Sequence, residues 1–387
     1  MKKRKDNKGR VLEKGESQRS DGSYMYRWTD ISGKRKTVYA NTLNELREKE
    51  FEITKTEKIS GISYSDSKIT VGELIERYKK LKNVKITTQK KYDYFNTIFE
   101  KINLLNVPIK NITTSDAKRY MMDISDLGYS YGSVLNLKSF LSPVFQMAVE
   151  DDYLVKNPFI FNLNNLIDDD RKERISLTKE QENKYLEFIK NDNTLKHCYD
   201  EIIILLNTGM RVSELYGLTF SDIDFKNNRI MVNKQLQYID RKYIIMSPKS
   251  KAGNRMLAMT DEVKKIFMNK MTEKRPTVER MVDGYTGFVF INRFGNPKTR
   301  KNLQMSMISI REKAERLGIG DFSNITPHIL RHTFCSRMIE NGIDVKSLQI
   351  LMGHSDIGTT LDVYTHKDPE DVAKTMENIL LGRAGNY

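Results

Sequence analysis

Apolar residues recur at two different spacings near the amino end of the chain. Aromatic residues occupy alternate positions within 23–30, and a second short run with strand character follows the turn sequence ISGK at 35–40. Such alternation is typical of a half-buried strand, so two strands joined by a tight turn are predicted. Residues 42–58 then begin at a threonine and carry leucines at helical spacing. The pattern predicts a small α+β module over residues 1–62.

The spacing becomes helical after the Gly/Ser-rich stretch 61–70, whose composition is typical of a linker. Four helices are predicted beyond it, at 70–83, about 88–104, 114–126 and 131–150. Pro143 lies inside the last of them and lacks the backbone N–H that a helix interior uses. We therefore expect Pro143 to bend or divide that helix. Together these helices predict an all-helical second domain over residues 66–156.

A third pattern begins after the asparagine-rich and charged stretch 156–177, which favours another boundary. We predict a third domain over 174–387 that begins and ends with helices. Between these helices, strands are predicted at 229–239 and 242–259, around turns at Asn227–Asn228 and Gly253–Asn254. The expected fold class is therefore multidomain and mainly α with small β-sheets: an α+β module, a helical domain and a mixed α/β domain.

The composition adds a strong positive charge to this architecture. Sixty-five Lys and Arg residues against 51 Asp and Glu residues give a net charge of +14 and an isoelectric point near 9.4. Such a field attracts a polyanion, so nucleic acid is the leading candidate partner, with a merely basic surface as the alternative. The first ten residues include six Lys or Arg residues, and we expect an arm that is unstructured when free.

Cysteine content and apolar runs bear on the cellular compartment. Cys198 and Cys335 are too few for a disulfide framework, and their number favours a reducing environment with both thiols in the core. The basic start is not followed by an apolar segment, so we expect no signal peptide. Because no uncharged apolar run approaches the ~20 residues that span a bilayer, we expect a cytoplasmic protein without a membrane partner.

Arg211 follows a glycine-containing break between an apolar helix and a short helical turn over 212–218. An arginine in that position is expected at an edge of the core, and a buried arginine needs a partner. Glu214, three residues further along the same turn, is the predicted partner. Considered alone, this pair favours a structural role.

Four of the five histidines lie within residues 328–366. His328, Arg331 and His332 share one predicted helical face just after Thr326 and Pro327, at a helix start that favours an anion. A guanidinium fork and a histidine donor suit the non-bridging oxygens of a phosphodiester. The alternatives are two packed histidines beside a solvated arginine, or a zinc pair; the sequence HILRH lacks the glutamate of HExxH, which disfavours zinc.

His354 follows a glycine, and Tyr364 lies ten residues beyond it. A tyrosine usually packs or lies at the surface, and a phenol with its ordinary pKa near ~10 is a poor nucleophile at neutral pH. Nearby arginines and a proton-accepting histidine favour formation of the phenolate during attack. This segment therefore adds a candidate nucleophile to the arginines.

Taken together, these residues resemble the complete active-site set of the tyrosine recombinases. In the order and spacing of that family the chain has Arg211 in TGMRVSEL, Lys249 in PKSKAGNR, His328 and Arg331 in HILRH, His354 in GH, and Tyr364 in TTLDVYTH. The PKSKAGNR segment is expected to be a β-hairpin. The second module resembles the family's core-site-binding domain and the first its arm-binding domain. The layout is most similar to integrases of conjugative transposons.

The resemblance implies how the reaction proceeds. Tyr364 would attack the scissile phosphate and form a 3′-phosphotyrosyl link, leaving a free 5′-hydroxyl. Arg211 and Arg331 would bind the non-bridging oxygens as negative charge builds up. One ester replaces another, so neither ATP nor a metal is required, and no cofactor is expected.

The resemblance also assigns the proton transfers. Lys249 would protonate the departing 5′-oxygen, although Lys251 is an open alternative in the same segment. His328 would handle the proton of the tyrosine, and His354 would donate to a non-bridging oxygen.

The expected partners are double-stranded DNA at core and arm sites, three further copies of the chain in a tetramer, and an accessory excision factor. The amphipathic segment 371–381 could dock on a neighbouring copy.

Three alternatives differ from this integrase prediction. They are a chromosome-dimer resolvase of the same family, which generally lacks the first module; a metal-dependent nuclease or transposase using Asp168, Asp169 and Asp170; and a non-catalytic DNA-binding regulator.

Overall fold

The computed structural model describes residues 4–30, 33–60, 69–171, 175–248, 251–358 and 360–361, with backbone alone for 55–60 and 251. The chain divides into two compact units, Met1–Lys172 and Glu173–Tyr387. The first contains two separate hydrophobic clusters, one in an amino-terminal β-sheet and one in a group of helices. Among the described residues no helix is both long and apolar enough to cross a membrane.

A three-stranded antiparallel sheet and one helix form the amino-terminal part of the first unit. The elements are β1 (Glu16–Gln18), β2 (Tyr24–Thr29), β3 (Arg35–Ala40) and α1 (Leu43–Ser60), with β2 in the centre of the sheet. The predicted hairpin and helix are confirmed. Strand β1 was not predicted, because three residues are too few to show an alternation.

The basic start of the chain is folded where the structure describes it, which corrects the prediction of an unstructured arm. Asp6 is buried, and its carboxylate accepts hydrogen bonds from the backbone N–H of Lys8 and of Arg10. Tyr24 Oη on β2 also donates to this carboxylate, at 2.9 Å. A single acidic residue thus holds the basic turn against the sheet. Residues 1–3 lie outside the described residues.

Four helices complete the first unit, as predicted: α2 (Val71–Leu81), α3 (Ile86–Lys101), α4 (Thr114–Asp126) and α5 (Tyr131–Glu150). Thr70 and Thr113 begin α2 and α4 with reciprocal capping bonds to Glu73 and Asp116. These caps satisfy backbone N–H groups that the first helical turn leaves free. The helices bury one continuous apolar cluster.

Pro143 does not divide α5, which runs as one helix from Tyr131 to Glu150. Of the two predicted effects, the division is wrong, because packing compensates for the hydrogen bond that proline cannot make; the bend stays a prediction. Leu141 and Val144 lie on either side of the proline, and both are fully buried.

The second unit combines seven helices of the described residues with two small sheets. The helices are α6 (Lys179–Asn191), α7 (Tyr199–Thr208), α8 (Val212–Leu215), α9 (Asp261–Thr272), α10 (Arg300–Arg316), α11 (Pro327–Glu340) and α12 (Val345–Met352). The strands are β4 (Ile223–Asp224), β5 (Arg229–Val232), β6 (Gln235–Ile239), β7 (Lys242–Met246) and β8 (Arg255–Ala258). Helix α7 lies in the core, with residues 202–206 buried on all sides. The predicted fold class is confirmed.

The strands of the second unit form two nested antiparallel pairs. Strand β6 pairs with β7 inside the outer pair of β5 with β8, and β4 extends the outer sheet. Asp240 and Arg241 make the reversal, both with positive φ as a two-residue hairpin turn requires. Residues 248–254 of the segment PKSKAGNR therefore lie in the connection from β7 to β8, and Arg255 begins β8. For the strands that the structure describes, the predicted hairpin is wrong. The strands on either side of this connection, β7 and β8, belong to different sheets.

Candidate active site

Arg211 lies between α7 and α8, where the chain changes direction. Gly209 ends α7 in the left-handed conformation, and a β-carbon there would come within 2.2 Å of the Phe334 ring. The backbone N–H of Arg211 donates to Glu214 Oε2 at 2.8 Å, and Arg211 Nη1 donates to Oε1 at 2.8 Å. One carboxylate thus orients both the backbone and the side chain of Arg211, as the spacing predicted.

Glu214 is buried and is shared with a second arginine, Arg255, at the start of β8. Arg255 Nη2 donates to Glu214 Oε2 at 2.8 Å and Nη1 to Oε1 at 3.2 Å. Burial raises the pKa of Glu214, but the hydrogen bond and charge of Arg255, followed by the charge of Arg211, outweigh it and lower the pKa to about 2. Glu214 is therefore ionised at neutral pH.

Arg331 lies in the second turn of α11 and is only 6% exposed. Thr326 caps this helix by accepting from the Ile329 N–H, so the predicted helix start is confirmed. Arg331 Nη1 donates to the Gly209 carbonyl at 2.5 Å, and Nη2 donates to the carbonyl of Met352. Burial, followed by the charge of Arg211, lowers the pKa of Arg331 to about 9. The guanidinium stays protonated at neutral pH, in surroundings that disfavour its charge.

His354 follows Gly353, which ends α12 in the left-handed conformation. His354 Nε2 lies 3.1 Å from Arg331 Nη2, and Nδ1 lies 2.9 Å from Thr360 Oγ1. A guanidinium can only donate, so Nε2 accepts and the proton is on Nδ1. Burial, followed by the charges of Arg331 and Arg211, lowers the pKa of His354 to about 4. His354 is therefore neutral at neutral pH.

The carboxyl end of α12 brings the three arginines together. Three consecutive carbonyls each accept from a different guanidinium: Leu351 from Arg255, Met352 from Arg331 and Gly353 from Arg211. The last carbonyls of a helix lack partners within it and carry partial negative charge. Helix α12 therefore holds the arginines in place and positions His354 beside them.

The cluster has an excess of positive charge. Within the described part of the chain, the cluster contains three guanidinium groups and the carboxylate of Glu214, which accepts from Arg211 and Arg255, while Arg331 contacts His354. The Arg211 side chain is still 37% exposed, so its guanidinium can reach a ligand. Planar guanidinium donors suit the paired oxygens of a phosphate. The arrangement is a site for an anion, and it unites three of the six predicted residues: Arg211, Arg331 and His354.

The other three predicted residues are not placed in this cluster. His328 lies in the first turn of α11, one turn before Arg331, and it is exposed. Lys249 and Tyr364 lie outside the described residues, as does the predicted helix 371–381. The backbone of Lys251 begins a short 3-10 turn, Lys251–Gly253.

Sequence reasoning missed Arg255. The signal was its position in RMLA, where burial alternates and Arg255 shares the inward positions with Leu257. A charged residue on the inward face of a strand requires a buried partner, and Glu214 is that partner.

The residues suggested for metal binding have structural roles where the structure describes them. Asp169 pairs with Arg171, and Asp170 Oδ1 accepts from the N–H of Tyr131 at the start of α5, at 3.0 Å. Within the described ranges, no group of three His, Cys, Asp or Glu side chains could hold a metal ion.

Comparison with known proteins identifies the family. The profile of the phage integrase family matches residues 176–371, the segment that contains the arginine cluster. The chain is also 36% identical to the transposase from transposon Tn916 of Enterococcus faecalis, over 97% of this chain and 96% of that protein. The chain belongs to the phage integrase family of tyrosine recombinases. This recombinase catalyses site-specific recombination of a mobile element by DNA strand transesterification.

Further matches extend the likeness to both ends of the recombinase. Residues 1–57 match the DNA binding domain of tn916 integrase. The transposase from transposon Tn1545 of Streptococcus pneumoniae is 36% identical, over 97% of this chain and 96% of that protein. A structure of the Tn1549 transposon integrase with circular intermediate DNA aligns with a TM-score of 0.76 at 34% identity, covering 80% of this chain and 99% of that chain. The resemblance to conjugative-transposon integrases is confirmed.

Proposed function

We propose that Tyr364 is the nucleophile of this recombinase and that the arginine cluster binds the scissile phosphate. Tyr364 Oη attacks phosphorus and forms a new phosphorus–oxygen bond, while the bond from phosphorus to the 5′-oxygen breaks. The product is a 3′-phosphotyrosyl link and a free 5′-hydroxyl. The reverse reaction with another 5′-hydroxyl rejoins the strands, and the number of phosphoester bonds is conserved.

The single observation that carries this proposal is that Arg211 and Arg331 donate to adjacent carbonyls at the end of α12, those of Gly353 and Met352, which brings their guanidinium groups together. Negative charge builds up on the non-bridging oxygens in the transition state, and donors held in place beforehand stabilise it without reorganisation. Glu214 and the α12 carbonyls hold the two guanidinium groups in this way. A bound phosphate would balance the positive charge that Glu214 alone leaves in excess.

His354 can take the predicted role of a donor to a non-bridging oxygen. Its Nδ1 partner is the hydroxyl of Thr360, which can donate as well as accept. A change of tautomer would place the proton on Nε2, towards the phosphate, while Thr360 donates to Nδ1. Because the low pKa keeps the ring neutral, this donation adds no charge to the cluster.

We assign the proton transfers to Lys249 and His328. Lys249 gives a proton to the 5′-oxygen, since an alkoxide is a poor leaving group, and Lys251 is the alternative donor. His328 accepts the proton of the Tyr364 hydroxyl. The exposed position of His328 in the first turn of α11 leaves it accessible to a substrate group.

We infer a three-domain arrangement on DNA, with residues 1–62 at arm sites, 66–156 at core sites and 174–387 as the catalytic domain. Two separate hydrophobic clusters in the first unit support the first division. Relatives support the substrate: the Tn1549 integrase has been solved with circular intermediate DNA and with transposon right end DNA. We further propose a cytoplasmic homotetramer on DNA, assisted by an accessory excision factor.

A suicide substrate tests the nucleophile. A DNA duplex nicked close to the cleavage point loses a short fragment after cleavage, so the covalent adduct accumulates. The native chain should form the adduct in the presence of a chelator, and Tyr364→Phe should not. Tyr238→Phe, at a 48% exposed tyrosine of β6, is the matched control and should retain the adduct.

Two outcomes would contradict the proposal. Adduct formation by Tyr364→Phe would show that another residue is the nucleophile. Absence of the adduct with native chain on its own attachment sequence would favour a non-catalytic regulator.

A further inference from the structure

Arg255 makes more polar contacts than the two arginines of the predicted catalytic set. Its side chain is 2% exposed. The guanidinium donates to both oxygens of Glu214, to the Gly253 carbonyl at 3.2 Å through Nη1, and to the Leu351 carbonyl at 2.7 Å through Nε. These acceptors belong to three separate parts of the second unit: α8, the connection from β7 to β8, and the end of α12.

We propose that Arg255 is a positioning residue that fixes the lysine-bearing connection between β7 and β8 against Glu214 and the end of α12. The connection, residues 247–254, contains both Lys249 and Lys251. The inference rests on the proposed function, because it concerns the delivery of a proton by one of these lysines.

Close packing supports this role. A β-carbon on Gly353 would lie 3.0 Å from Arg255 Nη1 and 3.2 Å from the Ala252 carbonyl oxygen. On the other side of the connection, a β-carbon on Gly253 would lie 2.3 Å from Pro248 Cβ. Ala252 and Gly253, two described residues near the end of the connection, are therefore held between Arg255, the turn before His354 and Pro248. Movement of Arg255 would release the carbonyl of Gly253 and with it the residues that carry the lysines.

Arginine is required for this set of contacts. A planar guanidinium can bind both carboxylate oxygens and two carbonyls at the same time, whereas an ammonium group is a single point with three donors. Arg255→Lys keeps the positive charge beside Glu214 and removes the fork. This substitution therefore separates the geometry of Arg255 from its charge.

A substrate with sulfur in place of the bridging 5′-oxygen reports the position of the lysine. In the natural substrate the bond from phosphorus to the 5′-oxygen breaks, and the oxygen takes a proton from the lysine. In the sulfur substrate the bond from phosphorus to sulfur breaks, and the 5′-thiolate leaves without a proton, because thiols are far stronger acids than alcohols. A misplaced lysine therefore slows cleavage of the oxygen substrate selectively.

The experiment measures single-turnover adduct formation by the full-length chain on nicked oxygen and sulfur substrates. We expect Arg255→Lys to lower the rate on the oxygen substrate by on the order of 100-fold. On the sulfur substrate, the rate of the same variant should return most of the way to that of the native chain. Arg211→Lys, which alters a contact to the non-bridging oxygens, should be slow on both substrates.

Arg275→Lys is the matched control. Arg275 also binds both oxygens of one carboxylate, that of Glu279, and donates to a backbone carbonyl, that of Phe288. Arg275 lies outside the arginine cluster. Its substitution should leave the ratio of the rates on the oxygen and sulfur substrates unchanged.

The inference is overturned if Arg255→Lys and the native chain have the same ratio of oxygen to sulfur rates. Should Arg255→Lys fail to fold, Gly253→Ala displaces the same carbonyl, and an unchanged ratio in that variant overturns the inference equally. Failure of the native chain to form any adduct would instead refute the proposed function, so the two failures are distinguishable.

Discussion

Arg331 Nη2 lies 3.1 Å from His354 Nε2. The guanidinium is positively charged and can only donate, so this contact requires a neutral histidine ring whose Nε2 accepts. Burial and the nearby arginines lower the pKa of His354 from 6.5 to about 4. In the unfolded chain the ring binds a proton below pH 6.5, whereas in the folded protein it does so only near pH 4. The stability that the neutral ring provides is complete above pH 6.5 and is lost as the pH falls towards about 4.

We therefore expect His354→Gln to reduce the pH dependence of stability in this window. Glutamine can hydrogen-bond at the same site but cannot bind a proton there. Urea unfolding of the native chain and of the variant is monitored by circular dichroism at a series of pH values between 4 and 6.5. The quantity compared is the difference between their unfolding midpoints at each pH. Parallel curves for the two proteins would contradict the assigned pKa shift.

Glu214→Gln should be among the most damaging single substitutions in the second unit. It leaves Arg211 and Arg255 without the carboxylate that they share, beside the positive charge of Arg331. Loss of one partner from a buried ion pair costs about 3–5 kcal/mol. Urea unfolding of the full-length chain measures the loss, and adduct formation should fall with it because Arg211 loses its orientation.

Glu279→Gln is the comparison for that substitution. Glu279 pairs with Arg275, and its side chain is 23% exposed. An ion pair with access to water contributes about 1 kcal/mol or less. Equal losses of stability in the two variants would show that Glu214 is not specially stabilised by the arginines.

Local sequence signals determined the regular elements of this chain more completely than they determined the site. The predicted bounds of α4 and α5 agree with the structure, because the Thr113 cap of α4 and the apolar spacing of α5 each act within one helix. The connection that contains Lys249 was predicted as a hairpin because Gly253–Asn254 resembles a turn. The reversal is instead at Asp240–Arg241, where two residues without glycine adopt positive φ.

The site depends on contacts between distant segments, and these cannot be derived from spacing. Arg211 and Glu214 are three residues apart, so their pairing was predictable. The bond from Arg255 to Leu351 joins residues 96 positions apart, and nothing in either segment specifies the other. For this reason Arg255 was overlooked, although the position of Arg331 near a helix start was predicted correctly.

Gly209→Ala should reduce both stability and cleavage. Alanine would be strained at the positive φ of this position, and its β-carbon would overlap the Phe334 ring. Left-handed backbone costs about 1–2 kcal/mol, and overpacking adds roughly 1–3 kcal/mol. Because the Gly209 carbonyl accepts from Arg331, a shift of this turn also moves a guanidinium that we propose binds the scissile phosphate.

Gly318→Ala isolates the backbone part of this effect. Gly318 follows α10 with a φ of 65°, close to the 60° of Gly209, and a β-carbon there meets nothing within 4 Å. We expect a loss of about 1–2 kcal/mol and unchanged cleavage in this variant. If Gly209→Ala behaved in the same way in thermal unfolding and adduct assays, the packing against Phe334 would have no consequence for the site.

The identity of the general acid can be decided between Lys249 and Lys251. Methionine at the catalytic position keeps the length of the side chain and removes the proton, so Lys249→Met should lower cleavage of the oxygen substrate by about 10²–10⁴-fold. The sulfur substrate should restore this rate, because its leaving group needs no proton. Lys251→Met is the matched control from the same connection and should cleave both substrates at nearly the native rate. The opposite pattern would assign the role to Lys251, and selective rescue of neither variant would contradict a lysine acid in this connection.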